Sequence, residues 1–123
     1  MAALTGTNAF RETTALGATS QGSSLSLHAG NPGTTGANEL SGGSPAYARV
    51  STTWTGGTAD GVVTGSEVEF NIPPAVSPAT TVTPTHMGCW SGSTFLWAVP
   101  IANISYPGQA KVRITPTLTV PQG

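Results

Sequence analysis

The chain of 123 residues is long enough for one domain with a buried core, and its formal net charge at pH 7 is only −1. Charged residues make up 7% of it, too few for a nucleic-acid surface, and 37% of the residues are apolar, too many for a disordered chain. Thr is the most frequent residue, with 16 Gly and 10 Pro behind it, which indicates an all-β fold with many turns.

Neither the N-terminal residues nor the apolar runs indicate a membrane location. Residues 1–10 lack the basic and apolar regions of a signal peptide, and no apolar run is long enough to span a bilayer. We therefore expect synthesis in the cytoplasm and no membrane partner. Cys89 is the only cysteine, so no disulfide can form within the chain, and a buried inert thiol is favoured over a reactive one.

The only predicted helix covers residues 7–16. Thr7 or Asn8 can cap its start, and Gly17 can close it. A helix of this length is unstable without packing, so a flexible arm is the alternative.

Six stretches either alternate apolar with polar residues, as strands do, or are rich in β-forming residues. Val68, Phe70 and Ile72 alternate with polar residues, the cleanest signal of period two in the chain. In the last stretch Pro116 removes a ladder donor, so we expect an edge strand or a bulge there. The stretches are 23–28, 46–54, 67–72, 81–90, 94–101 and 111–120.

The stretches 81–90 and 94–101 are predicted to form an aromatic hairpin through a Gly-containing turn. Both of its faces are apolar, which suggests a core on one side and a second sheet or a neighbouring subunit on the other. In the second arm, strict alternation places Phe95, Trp97 and Val99 on one face.

Together these elements predict a single small β-sandwich, Ig-like or jelly-roll, at residues 23–123. An N-terminal arm or short helix at 1–22 precedes it. A long ordered loop at 30–45 lies within it, with turn signals at both ends. Within the loop only Ala37 and Leu40 can reach a core, and side-chain hydrogen bonds are expected to hold its shape, from Thr34, Thr35, Asn38 and Ser41.

Two stretches of the chain resemble a known protein family. The first lies in the loop and its flanks and comprises Leu27 and His28, followed by 32–39, 41–44 and 47–49. The second stretch is 82–90. They resemble a family of small actinobacteriophage virion proteins that are often labelled tail-fibre-like. Pro84-Thr85 before His86 departs from the second motif of that family. The resemblance implies a virion structural protein on the particle surface, assembled in the bacterial host cytoplasm.

No metal site is indicated by local spacing. His28, His86 and Cys89 are a conceivable zinc set, but three ligands would have to converge from distant strands. We therefore interpret the histidines as strand residues and predict no metal and no cofactor.

No catalytic residue is predicted either. Glu67 and Glu69 point the same way along a strand and are interpreted as solvated rather than as an acid–base pair. Asp60 is the only aspartate, and the chain has no nucleophile-elbow motif. The residues thus predict a protein that is not an enzyme.

Aromatic side chains give two alternative interpretations. Trp54, Trp90, Phe95, Trp97 and Tyr106 could stack on sugar rings, but few acidic or amide groups lie near them in sequence. We favour a packed core with a subunit contact. The candidate contacts with subunits or the virion are therefore in the loop and the hairpin: Pro32, Thr34, Thr35, Asn38, Leu40, Trp90, Phe95 and Trp97.

Three functions follow from these observations. The favoured one is a capsid decoration subunit that associates with itself as a homotrimer and with the major capsid protein. The first alternative is a tail-fibre or tail-tip subunit that contacts tail proteins and the host. The second is a carbohydrate-binding adhesin module, for which the sequence offers no dedicated glycan site.

Overall fold

The computed structural model describes residues 6–56 and 61–120. In these residues one helix precedes nine strands, so the predicted class, a small all-β domain with at most one short N-terminal helix, is confirmed. The elements are α1 (Asn8–Ser20), β1 (Ser24–His28), β2 (Val50–Ser51), β3 (Trp54–Thr55), β4 (Val62–Gly65), β5 (Val68–Ile72), β6 (His86–Ser91), β7 (Thr94–Pro100), β8 (Ala110–Ile114) and β9 (Thr117–Thr119).

The strands form three antiparallel sheets. The largest has the order β2-β1-β6-β7, the second β3-β4-β9 and the third β5-β8. In the largest sheet β1 pairs with β6 along its whole length, from Ser24 opposite Trp90 to His28 opposite His86. These two paired strands therefore come from distant parts of the chain.

The core lies between the largest sheet and the β5-β8 sheet. Val68, Phe70 and Ile72 on β5 are buried, as their alternation predicted. They meet apolar side chains of β1 and β6, so two sheet faces enclose one cluster in the manner of a sandwich. The cluster consists of Leu25, Leu27, Val68, Phe70, Ile72, Met87 and Cys89.

Helix α1 starts where it was predicted. Thr7 is its N-cap, and the Thr7 side chain accepts a hydrogen bond from a backbone N–H of the first turn. The prediction that Gly17 closes the helix was wrong, because the helix continues for another turn beyond it. Packing against β4 and β9 offsets the cost of the interior glycine, through a buried stripe formed by Glu12, Ala15 and Thr19.

Two predicted strands are each divided between two sheets. Residues 46–54 give β2, which pairs with β1, and β3, which pairs with β4. Residues 111–120 give β8 and β9, which are edge strands of different sheets. The break lies at Pro116, which is buried and whose carbonyl accepts a hydrogen bond from Gly65 N–H (2.8 Å). The proline therefore ends one strand as well as marking an edge.

A bulge in the hairpin of β6 and β7 changes the predicted faces. Cys89 lies opposite Trp97, but Trp90 lies opposite Phe95, so β7 has one extra residue here. An extra residue turns the next side chain to the other face. Phe95 therefore lies beside Trp90, while Trp97 packs against the core. The prediction that Phe95 and Trp97 share a face was wrong.

Strand β4 was not predicted, because its short sequence of four residues follows a Gly-rich stretch. Asp60, the only aspartate, lies outside the described residues.

Candidate functional site

The candidate site is the outer face of β1 and β6, which residues 30–45, here called the covering loop, lie across. A backbone hydrogen bond from Leu40 N–H to Leu27 O (3.0 Å) joins the loop to β1. Ser26 and His28, expected on the polar face of a half-buried strand, are 0% exposed. Strand β1 is therefore buried on both faces, because the loop acts as a second cover.

A chain of hydrogen bonds runs through this buried face. Trp90 Nε1–H donates to Ser26 Oγ (2.8 Å), and Ser26 Oγ lies 2.6 Å from His28 Nε2. His28 Nδ1 lies 2.8 Å from Ala37 O, a carbonyl that can only accept. This contact assigns the ring proton to Nδ1, so Nε2 accepts from the Ser26 hydroxyl. Each buried polar group thus has a partner, as a stable interior requires.

A second polar cluster holds the covering loop at Glu39. Glu39 accepts two hydrogen bonds from Arg49, at 2.8 and 2.9 Å, and a third from the Tyr47 hydroxyl at 2.9 Å. The same hydroxyl accepts from Leu27 N–H (2.9 Å) on β1. The Arg49 guanidinium lies 3.5 Å from the centre of the Trp90 ring. Fork-shaped pairing and stacking together connect the loop, the following segment and the sheet.

The pKa shifts in this cluster favour the ionised forms of Glu39 and Arg49. Burial alone would raise the pKa of the Glu39 carboxyl, but the hydrogen bonds from Arg49 and Tyr47 outweigh it and leave that pKa below its ordinary value. The hydrogen bond with Glu39 raises the pKa of Arg49. Burial, together with the neighbouring Glu39 carboxylate, raises the pKa of Tyr47 well above its ordinary range. Near neutral pH the cluster is a carboxylate between a cation and a neutral phenol.

Inside the covering loop, asparagines form the polar contacts. Asn31 Oδ1 accepts from Gly33 N–H (2.8 Å), and Asn38 Nδ2–H donates to Asn31 O (3.1 Å). Asn38 therefore holds the loop as predicted, whereas the described residues show no such bond from Thr34, Thr35 or Ser41. Pro32 is buried and Ala37 is exposed, so the expectation that Ala37 reaches a core was wrong.

The eight candidate contact residues do not form one surface. Pro32 and Trp90 are buried within the chain, Trp90 being 7% exposed. Leu40, Phe95 and Trp97 are half-buried, and the exposed members are Thr34, Thr35 and Asn38. Their role in contacts with another subunit stays a prediction, centred on the three exposed residues.

Sequence reasoning missed the cluster of Glu39, Tyr47 and Arg49. The available signal was a single acidic residue in an otherwise uncharged loop, with a basic residue just beyond the loop. In a chain with so few charges, such a pair is a candidate buried ion pair.

The five aromatic residues also fail to form one platform. Trp54 and Trp97 pair on the core side, with ring centroids 6.0 Å apart. Trp90 and Phe95 pair on the loop side at 5.1 Å, and Tyr106 lines a separate cavity. The described residues therefore offer no continuous stacking surface for a glycan.

The conceivable zinc ligands are separated by the sheet. His28 and His86 are cross-strand partners, but Cys89 belongs to the core on the opposite face. Its thiol donates to Gly22 O (3.3 Å), so the predicted burial of this cysteine is confirmed, and burial raises its pKa to about 11. Within the described ranges no group of three His, Cys, Asp or Glu residues could hold a metal ion.

The prediction that both glutamates are solvated on an exposed face is confirmed, because Glu67 and Glu69 are both exposed. Glu69 also forms surface ion pairs with Arg113 (3.1 Å) and Lys111 (3.7 Å), which neighbour it on β8. Over residues 6–56 and 61–120, the helix is too short and too polar to cross a bilayer.

The fold and the covered face define a structural domain, whose buried polar side chains hold its own loop in place. A family model described as Podophage GP4 fiber I protein gp80 matches residues 5–112. Because this match spans most of the chain, the protein belongs to that family of phage fibre proteins and is a phage structural protein. No curated protein and no solved structure matches the chain.

Proposed function

We propose that the protein is a subunit of a fibre on the phage tail and acts by forming protein contacts, without catalysis. The observation that carries this proposal is the family match over residues 5–112, whose description names a fibre protein. We thus favour the tail fibre over capsid decoration, whereas the sequence alone favoured capsid decoration because the chain is short. The resemblance to actinobacteriophage proteins supports an actinobacterial host.

The geometry supports a role in contacts rather than in chemistry. The serine–histidine pair of Ser26 and His28 is 0% exposed, and the histidine Nδ1 faces a carbonyl instead of a carboxylate. A substrate could not reach this pair without removal of the covering loop. The exposed loop residues Thr34, Thr35 and Asn38 are the part of the site that can touch another virion protein, and we retain a homotrimer as the assembly.

Location on the particle is the decisive test. Antibody raised against the purified protein is applied to intact virions and detected by immunogold electron microscopy, with the copy number measured on gels. We expect label at the tail and a copy number well below that of the major capsid protein. Label over the whole head, with a copy number comparable to that of the major capsid protein, would instead identify a capsid decoration subunit.

A further inference from the structure

The exposed charges of the described residues are gathered on one side of the molecule. The sequence has four basic and five acidic residues, and all of them except Asp60 lie in the described ranges. Within those ranges only four charged residues are exposed: Glu67, Glu69, Lys111 and Arg113. The other charged residues there are buried or half-buried.

These four residues form the charged face, which is the outer side of the β5-β8 sheet. The residues of β5 on either side of Glu69 are buried in the core, so Glu69 points outward. It lies opposite Arg113 in the ladder and 3.7 Å from Lys111, while Glu67 directly precedes β5. With two acidic and two basic residues, the charged face has no net formal charge and does not select an anionic or a cationic partner.

The opposite side of the molecule differs in charge. The core lies between the largest sheet and the β5-β8 sheet, so the covering loop and the charged face lie on opposite sides of the sandwich. Every exposed residue of the covering loop is uncharged, and its exposed side chains are those of asparagine, threonine, serine, alanine and proline. The carboxylate of this loop, Glu39, is half-buried and paired with Arg49. The subunit therefore has one charged and one uncharged side.

The two sides differ in what it costs to cover them with another protein. A lysine or glutamate loses its hydration when a partner covers it, and interface cores are accordingly depleted in these residues. Threonine and asparagine side chains lose less and can exchange water for hydrogen bonds with the partner. A surface with few charges is also poorly protected against association. These costs favour contacts on the side of the covering loop and water on the charged face.

We propose that the subunit has a fixed orientation in the assembled particle, with the covering loop against a neighbouring protein and the charged face in water. The partner that fits is a protein surface that is likewise uncharged, since no exposed residue of the loop could neutralise a buried charge. This inference rests on the contact role proposed for the loop. It concerns orientation alone, so it can fail while the fibre location stands, and it can hold on a capsid as well as on a tail.

Amine labelling of intact virions tests the charged face on the natural protein. Lys111 is the only lysine of the chain, so an amine-specific acetylating reagent modifies only this side chain and the N-terminal amine. The rate of Lys111 acetylation is measured by mass spectrometry in intact virions and in the isolated protein. We expect the same rate in both, because no partner covers Lys111 in the particle. Protection of Lys111 in virions that is lost when the particles are dissociated overturns the proposal.

Two cysteine variants test the side of the covering loop. Thr34 lies on this loop and Thr115 lies two positions after Arg113, and both are exposed. Virions that carry Thr34→Cys or Thr115→Cys are treated with a thiol-reactive reagent, to which the buried Cys89 adds little background. We expect Thr34→Cys to react in the isolated protein and to lose this reactivity in the virion, whereas Thr115→Cys reacts in both. Equal reactivity of the two variants in virions overturns the proposal.

Discussion

At the scale of single residues, Gly36 sets how closely the covering loop approaches the sheet. Its φ of +77° lies in the left-handed region, and a Cβ placed on it would lie 2.5 Å from two ring atoms of Trp90. The same atom would be 3.1 Å from Phe95. Only a residue without a side chain lets the backbone lie against this aromatic pair.

Gly36→Ala is therefore expected to destabilise the protein by more than backbone strain alone. Gly33→Ala is the matched control, since Gly33 also has a positive φ (+61°) but no atom within 4 Å of the position that an added methyl group would take. We expect a loss of about 1 kcal/mol for the control and a clearly larger loss for Gly36→Ala, measured as free energy of unfolding in urea. Equal losses would show that the loop moves away from Trp90 at no cost.

At the scale of elements, the covering loop depends on an ionised Glu39. Its pKa in the folded state lies below the ordinary value of 4.5, so its contribution to stability is fully present above that value. The contribution is lost as the pH falls below 4.5 and through the folded-state pKa, because protonation removes the acceptor pair for Arg49.

The expected result is an acid-dependent loss of stability that Glu39→Gln reduces. Urea unfolding of the wild type and of Glu39→Gln is compared at neutral pH and at a pH below 4.5. The substitution should destabilise the protein at neutral pH and change its stability less in acid. Glu67→Gln, on an exposed residue, is the control and should follow the wild type. An unchanged acid dependence in Glu39→Gln would rule out this role.

The edge strand β7 shows how an apolar strand avoids unwanted pairing. Ile101 N–H donates to Thr85 O (3.0 Å), so by alternation Val99 also points its amide towards β6 and Ala98 points away. The next residue whose amide would point away from β6 is Pro100, which has no N–H. The bulge near Phe95 interrupts the regular pattern at the other end of β7. Few N–H groups of β7 therefore point away from β6 in a regular row, and this protects the sheet edge from the addition of a further strand.

The sequence predicted the elements whose pattern is local. The alternation of Val68, Phe70 and Ile72 and the Thr7 cap needed only neighbouring residues. The bulge beside Phe95 was not predictable in this way, because register depends on the partner strand. The burial of His28 was not predictable either, since it depends on a loop that contacts the sheet through long-range bonds. The same holds for the cluster around Glu39, whose partner Arg49 lies ten positions away.

At the scale of the whole molecule, helix α1 and the segment after it close one end of the core. Trp97 Nε1–H donates to Ala18 O (3.2 Å), and Trp54 Nε1–H donates to Gly22 O (3.0 Å). The two indole rings thus find their polar partners at the end of the helix, with their apolar surfaces against the core.

Removal of residues 1–20 is expected to lower the melting temperature and to shift tryptophan fluorescence to longer wavelength. The cause is exposure of Trp97 to water once its carbonyl partner and the helix are absent. Trp97→Phe, which loses only the indole N–H and part of the ring, is the milder comparison. If the truncated protein melts like the full chain, residues 1–22 behave as a separate arm and the helix has no part in the stability of the β domain.

The pairing of β4 with β9 has a consequence for biosynthesis. Strand β4, in the middle of the second sheet, pairs with β3 (54–55) on one side and with β9 (117–119) on the other. This sheet therefore stays incomplete until residue 119 has left the ribosome. The largest sheet likewise stays incomplete until β6 and β7 have been made, because β6 is the second neighbour of β1 and β7 pairs with β6. Such distant pairings make folding slow, because long segments of chain must close before the contacts that stabilise them can form. Until these pairings form, the apolar strands remain exposed and prone to aggregation.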